Sequence, residues 1–374
     1  MNCALLGYGT VGSSVKKLAD RQPGLDIRIV FVKPEFVDLP FFSNEGEAIV
    51  TDPDTEIVFE CLAGVEPANT LIRKALEHGK HVISSNKAVL SANLPDYIEL
   101  ARKHGGSIQI EASVGGGIPL IDGILKLDRA EELKGFEGIL NGTSNYILTS
   151  MEKFGTSFDD ALKAAQAAGY AEADPANDIE GRDVWYKTLL VASLYTHSPV
   201  LTLPEPLGIS KLSAEDIDIA KAHGKKIRHL SILKNESGSF STLIAPVFLN
   251  ENDYLASVDE NFNAQKIYAD SFGSLGYYGP GAGGDPTAQA MIADAINLLD
   301  GCRRPITLDR NAVYDPNLIQ ENWIVRTDRD LSSLPGVNTE FFDADNLYLF
   351  ENRTPALIEE VRAADPQAMI AVWR

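Results

Sequence analysis

Two side chains four residues apart, Asp183 and Lys187, stand where a polar loop runs into the apolar stretch Val184 to Tyr195. On a helix that spacing places both on one face. One reading is an ion pair that supports the helix by about 0.2–0.5 kcal/mol. The other is an acid–base couple, because a lysine held beside a carboxylate can pass a proton to and from a substrate oxygen. The stretch that ends at Asp183 carries five carboxylates in twelve residues, Glu172 to Asp183. It lacks the Asp-x-Asp-x-Asp-Gly spacing of a calcium-binding loop. Mg²⁺, Ca²⁺ and a substrate ammonium group all remain open as its partner.

A second chemical signature opens the chain. The apolar run Cys3 to Leu6 leads into Gly7-Tyr8-Gly9-Thr10-Val11-Gly12. After a strand and before a helix, Gly7 would permit the tight turn and Gly9 the close approach of a pyrophosphate. Gly12 would let the helix pack on the sheet, with its first amides, at Thr10 and Val11, facing the anion. The next strand ends in Val32-Lys33-Pro34-Glu35. A carboxylate there selects NAD by bonding the ribose hydroxyls. Lys33 is the first charge met, so the sequence slightly favours NADP, with Glu35 as the acid that would favour NAD.

These groups need elements to position them. Strand-like runs at Ile57–Leu62, His81–Ser84 and Ser107–Ala112 alternate with helical stretches at Pro67–His78 and Leu94–His104. That alternation predicts an α/β fold with a doubly wound parallel sheet. Ligands lie beyond the carboxyl ends of such strands. This edge carries Gly64, Ser85, Lys87 and the turn Ser113 to Pro119, so Gly64, Ser85 and Lys87 are candidate cofactor contacts. From about residue 128 the pattern changes to Asn141-Gly142-Thr143-Ser144-Asn145-Tyr146, a helix from Ile147 and an Ala-rich helix at Phe158–Ala168. A strand at Phe240–Phe248 and a glycine-rich helix entry at Gly279–Gly284 follow, the latter a second anion contact through Gly283.

The 374 residues carry 33 Lys plus Arg against 53 Asp plus Glu, a formal charge of −20. That balance disfavours nucleic acid and anionic membrane as general partners. No apolar run is long enough to span a bilayer, and the opening MNCALLGYG has no basic segment ahead of an apolar one, so no signal peptide is expected. Three widely spaced cysteines without a CxxC pattern predict reduced thiols and a cytoplasmic protein.

Taken in order, several segments resemble the homoserine dehydrogenase family. They are Gly7–Gly12, Gly79–Val82 with Ser85–Ala88, Glu111–Pro119, Asn141–Leu148, Gly169–Lys187, and Gly279–Gly283 with Thr287. The resemblance covers about residues 1–305 and lies in a monofunctional form without a kinase segment. It implies a Rossmann nucleotide domain with an inserted α+β substrate and dimerisation domain, and interconversion of L-homoserine and L-aspartate 4-semialdehyde in threonine and methionine synthesis. The resemblance makes Lys187 and Asp183 the catalytic pair, with Lys87 reaching substrate and cofactor. Glu172 and Asp178 hold the substrate, and Gly142, Thr143 and Tyr170 line its pocket. It also implies a monovalent cation, Na⁺, on the carbonyls of Val114, Gly116 and Ile118 with Glu111 nearby, and a homodimer.

The expected domains are 1–127 plus 285–307 for the nucleotide, 128–284 for substrate and dimerisation, and 308–374 as a small α+β appendage. Within the last, strands are predicted at Trp323–Arg326, Leu347–Phe350 and Ala368–Trp373, with a helix at Pro355–Ala363. Residues 311–374 hold eleven acidic and five basic side chains and no lysine. Two other readings compete. Another amino-acid or hydroxy-acid dehydrogenase would share the nucleotide loop but not the ordered Glu172, Asp178, Asp183, Lys187 block. A non-enzymatic nicotinamide-dependent sensor would not need both Lys87 and Lys187.

Overall fold

The computed structural model describes residues 1–37, 40–302, 304–342, 344 and 346–374. The chain forms two compact units. One comprises Met1–Glu131, Leu189–Leu201 and Gly279–Asn311, and the other Glu132–Thr188, Thr202–Tyr278 and Ala312–Arg374.

The first unit is a six-stranded parallel sheet. Its strands are β1 (Asn2–Leu6), β2 (Asp26–Phe31), β3 (Phe42–Ser43), β4 (Ile57–Glu60), β5 (His81–Ser84) and β6 (Ser107–Gln109), in the order β3-β2-β1-β4-β5-β6. The order reverses at β1, as in a doubly wound dinucleotide fold. Helices α1 (Thr10–Ala19), α2 (Gly46–Thr51), α3 (Ala68–Glu77), α4 (Lys87–His104), α5 (Leu120–Leu127) and α11 (Gly284–Leu299) belong to the same unit. Strands β4 and β5 are buried along their whole length, which is why they read as short unbroken runs rather than alternating ones. Ala288, Met291, Ile292 and Ala295 of α11 join Val15 and Ala19 of α1 and Leu5 of β1 in one core. At the helix entry, Asp285 accepts hydrogen bonds from Ser14 Oγ (2.7 Å) and Lys17 Nζ (2.7 Å).

Strand β4 ends at Glu60, two residues short of the expected Leu62, and helix α4 and strand β6 also differ from the sequence expectation. Helix α4 starts at Lys87, seven residues earlier than the predicted Leu94, because the Asn86 side chain caps it by accepting from Val89 N (3.3 Å). Pro95, which would ordinarily mark a helix boundary, lies inside the helix. Strand β6 is shorter than predicted: Glu111–Ser113 forms a 3₁₀ turn instead. The Glu111 carboxylate accepts from Ile121 N (3.0 Å) and Asp122 N (2.6 Å), which satisfies the first turn of α5.

The second unit is built on a ten-stranded mixed sheet. In chain order its elements are β7 (Gly135–Ile139), α6 (Gly142–Phe154), α7 (Phe158–Ala167), α8 (Ala176–Ile179), α9 (Arg182–Thr196, of which the part from Leu189 belongs to the first unit), α10 (Ala214–Ala222), β8 (Lys225–Glu236) and β9 (Ser239–Asn250). Then follow β10 (Phe262–Ala269), β11 (Gly273–Pro280), β12 (Val313–Tyr314), β13 (Glu321–Arg326), β14 (Val337–Asn338), β15 (Leu347–Arg353), α12 (Leu357–Ala364) and β16 (Met369–Trp373). The sheet order is β11-β10-β7-β8-β9-β16-β13-β15-β14, with β12 beside β9. The β8–β9 hairpin turns on Ser237 and Gly238, both at positive φ (52° and 85°), the conformation that matches strand twist in a two-residue turn.

Residues 308–374, expected as an appendage, add strands to this sheet. β16 runs parallel to β9, pairing Val372 with Val247, and β13 lies antiparallel between β16 and β15. One face is covered by α6, α7 and α10, through residues such as Leu148, Ala161 and Ile217. The other carries Trp323, Leu357 and Val361.

Candidate active site

The carboxyl end of β7 delivers the chain to Asn141, the cap of α6. Asn141 Oδ1 accepts from Ser144 N at 2.8 Å, so the carboxamide orientation is fixed and its nitrogen must point the other way. That nitrogen donates to two acids, Asp178 Oδ1 (2.7 Å) and Asp183 Oδ2 (2.9 Å). Asp183 Oδ2 also accepts from Lys187 Nζ at 2.7 Å, and the same ammonium donates to the carbonyl of Leu140 at 2.6 Å. Asp183 and Lys187 are 6 % and 7 % exposed. A buried pair of charges needs further hydrogen bonds; here Asn141 donates to the carboxylate and Leu140 O accepts from the ammonium. The arrangement holds an ammonium beside a carboxylate, a pairing able to move a proton to and from a bound oxygen.

Helix α9 presents this pair one turn apart because it starts sharply. Gly181, at φ 81°, accepts from Trp185 N with its carbonyl. A Cβ there would sit 3.0 Å from both His229 Cε1 and Pro206 Cβ. His229 donates Nε2–H to Leu207 O (2.9 Å), and burial pushes its pKa down to about 4, so it stays neutral. One turn beyond Val184, Thr188 Oγ1 meets Ser231 Oγ at 2.8 Å, which ties α9 to β8.

Thr143 and Tyr170 also come together: Thr143 Oγ1 donates to Tyr170 O at 2.6 Å, and the Tyr170 ring lies 5.0 Å from that of Tyr146. Gly142 is the first residue of α6, and a Cβ on it would meet Asn261 O at 2.6 Å. Glu172 is exposed on the loop before α8, its carbonyl accepting from Gln166 Nε2 at 3.1 Å. The sequence reading named Asp178, Asp183 and Lys187 but missed Asn141, the group that joins them. Its signal was available, since Asn before a helical stretch is a capping residue.

In the first unit, the glycine loop behaves as its spacing predicts. Gly7 has φ 94°, and a Cβ on Gly12 would lie 2.1 Å from Gly7 O. A Cβ on Gly9 would meet nothing within 4 Å, and no side chain caps α1. The first amides of α1, at Thr10 and Val11, thus have no capping side chain as acceptor. Lys33 and Glu35 are both exposed, at the turn Pro34–Phe36. Gly283, at φ 117°, precedes α11. Gly64, at φ 78°, and Ser85 lie at the carboxyl edge, and Lys87 is the first residue of α4.

The turn after β6 contains two successive left-handed glycines, Gly115 (φ 84°) and Gly116 (φ 58°). A Cβ on Gly116 would lie 2.6 Å from Gly281 C. Val114 and Ile118 are buried beside it. Glu111 N donates to Asp294 Oδ2 at 3.2 Å. Burial first, and the neighbouring Asp294 second, push Glu111 up to about 8; burial pushes Asp294 up to about 7. Among the described residues no cluster of three or more His, Cys, Asp or Glu side chains suits a metal, and no helix is long and apolar enough to cross a membrane.

Comparison with known proteins bears on both units. The family model described as homoserine dehydrogenase, NAD binding domain, matches residues 7–111, and the homoserine dehydrogenase model matches 119–296. A homoserine dehydrogenase of Synechocystis is 39% identical over 332 residues, covering 84% of this chain and 76% of that one. One from Bacillus subtilis is 33% identical over 319 residues, covering 81% and 74%. Among solved structures, a homoserine dehydrogenase from Thiobacillus denitrificans superposes with a TM-score of 0.87 at 27% identity, covering 100% of this chain and 98% of that one. One from S. aureus gives 0.77 at 26% identity, with the same coverage.

Proposed function

Because the chain belongs to the homoserine dehydrogenase family, an NAD(P)-dependent oxidoreductase interconverting L-homoserine and L-aspartate 4-semialdehyde, we propose which of its residues carry that reaction. The observation that supports the assignment is the buried Lys187 ammonium held between Asp183 Oδ2 and Leu140 O. In aldehyde reduction Lys187 gives a proton to the developing alkoxide; in homoserine oxidation the neutral amine takes the hydroxyl proton. Asp183 keeps the ammonium aligned and stabilises its charge, and Asn141 holds Asp183.

Asp178 and Glu172 neutralise the substrate ammonium, while Gly142, Thr143 and Tyr170 line the pocket. Lys87 meets negative charge on substrate and cofactor. When bound, the nicotinamide supplies or accepts the hydride. Gly7, Gly9, Thr10, Val11, Gly12, Gly64, Ser85 and Gly283 would hold the dinucleotide. The open space beside Gly9 and the uncapped start of α1 fit a pyrophosphate. Lys33 favours the 2′-phosphate of NADP over the bare ribose of NAD, modestly, because a single flexible ammonium lacks the fork of an arginine.

We assign a monovalent cation, Na⁺, to the turn at Val114, Gly116 and Ile118. Backbone carbonyls are suitable donors for it, and a positive charge there would offset the two buried acids Glu111 and Asp294. Its role would be to fix the turn rather than to polarise substrate. We assign the nucleotide to residues 1–127 with 285–307, and substrate binding and homodimer formation through the mixed sheet to 128–284. The free thiols Cys3, Cys61 and Cys302 suit a cytoplasmic enzyme. Initial rates with L-homoserine and each of NAD and NADP test the reading. Activity with both, and higher kcat/KM with NADP, is the expected result; no turnover of homoserine with either would overturn it.

A further inference from the structure

Strand β4 reads Ile57-Val58-Phe59-Glu60, three apolar residues and then an acid that is fully buried. A central parallel strand normally stays apolar to its end, and a buried carboxyl is costly unless donors surround it. Glu60 has them. Ser84 Oγ, from its register partner on β5, donates to Oε2 at 2.5 Å; Leu62 N donates to Oε1 at 2.8 Å, and Asn86 Nδ2 lies 3.5 Å from the same oxygen. Among the described residues no lysine, arginine or histidine pairs with it. The acid is spent on orienting neutral donors, not on an ion pair.

Those donors belong to the carboxyl edge of the sheet. Asn86 Nδ2 also donates to Gly64 O (2.7 Å) and Leu62 O (3.2 Å), while its Oδ1 caps α4 at Val89 N. Asn86 N in turn donates to Ser84 Oγ at 3.1 Å. The loop after β4 and the first turn of α4, which begins at Lys87, are thus clamped on one carboxyl group. The loop is also the floor of the glycine turn, since a Cβ on Gly7 would lie 3.0 Å from Cys61 O. We propose that Glu60 is a positioning residue for the dinucleotide, acting through Ser84 and Asn86 to set the Gly64 loop and the Lys87 turn where the cofactor binds.

The inference rests on the nucleotide site assigned above and goes beyond it. None of Glu60, Ser84 or Asn86 need touch the cofactor. Glutamine keeps one acceptor oxygen for Leu62 N and places an amide against Ser84 Oγ, which has a lone pair to receive it. Leucine fills similar space and offers neither group.

The test uses the full chain, titrating wild type, Glu60→Gln, Glu60→Leu and Ser84→Ala with NADPH by its fluorescence. Homoserine KM and kcat at saturating NADP are measured beside it. Glu60→Leu should raise the NADPH Kd at least ~10-fold and Ser84→Ala by ~3-fold or more. Glu60→Gln should stay within ~3-fold of wild type in both NADPH Kd and homoserine KM. A role confined to stability would lower Tm without moving Kd. Should Glu60→Leu fail to fold, Ser84→Ala against Glu60→Gln decides. Unchanged Kd in the leucine and serine variants, or no rescue by glutamine, overturns the inference. Failure of wild type to bind NADPH would instead overturn the nucleotide-site reading.

Discussion

Replacing Asn141 by Asp changes one NH₂ group to an oxygen and leaves the side-chain shape intact. The remaining oxygen still accepts from Ser144 N, and Asp caps helices as well as Asn does, so α6 and the fold should persist. What disappears is the pair of N–H bonds to Asp178 (2.7 Å) and Asp183 (2.9 Å). Hydrogen bonds to charged groups are worth about 1.5–3 kcal/mol each, so the two together hold the acids with about 3–6 kcal/mol. A third carboxylate would now sit between two others. If only the lower figure is lost from the transition state, kcat falls roughly 100-fold, at ~1.36 kcal/mol per decade. The assay is homoserine oxidation at saturating NADP, at pH 8, with Tm followed alongside. A variant that keeps its Tm and loses less than 3-fold in kcat at pH 8 would refute the idea that Asn141 organises the acid pair.

Glu172→Gln removes a charge and keeps the shape, so homoserine KM should rise well above any change in cofactor KM; unchanged KM and kcat would place Glu172 outside the pocket. Lys33→Ala should reduce kcat/KM for NADPH more than for NADH in semialdehyde reduction, and equal losses would show that Lys33 does not read the 2′-phosphate. The folded-state pKa values of Glu111 (about 8) and Asp294 (about 7) lie above their ordinary values. The folded form therefore holds more protons, and these groups' contribution is complete below about pH 4 and is lost as pH rises through 7 to 8. Na⁺ in place of choline should consequently raise Tm more at pH 8 than at pH 6, and Glu111→Gln should abolish that difference; a Tm response to Na⁺ that is the same at both pH values contradicts the cation assignment.

The nucleotide half was legible because its signals are local. Gly7, Gly9 and Gly12 answer to backbone geometry within six residues, and β4 and β5 to short apolar runs. The Asp183–Lys187 spacing likewise encodes a shared helical face. Less legible were the groups whose meaning depends on partners distant in sequence. Asn141 meets Asp183 across 42 residues and Glu111 meets Asp294 across 183, and no periodicity reports such pairs. The strands of residues 308–374 were visible as apolar runs, but the pairing of Val372 with Val247 that joins them to the main sheet was not. Glu60 left a trace: an acid ending a buried parallel strand breaks the expected apolar pattern.

If Lys187 moves the proton, as proposed, the kcat of Lys187→Ala for homoserine oxidation at saturating homoserine and NADP reports it. Its NADPH Kd is measured on the same preparation to show that the nucleotide unit is intact. General acid–base groups contribute about 10²–10⁴-fold, so kcat should fall at least ~100-fold below wild type with the NADPH Kd little changed. A variant that retains more than half the wild-type kcat would contradict it.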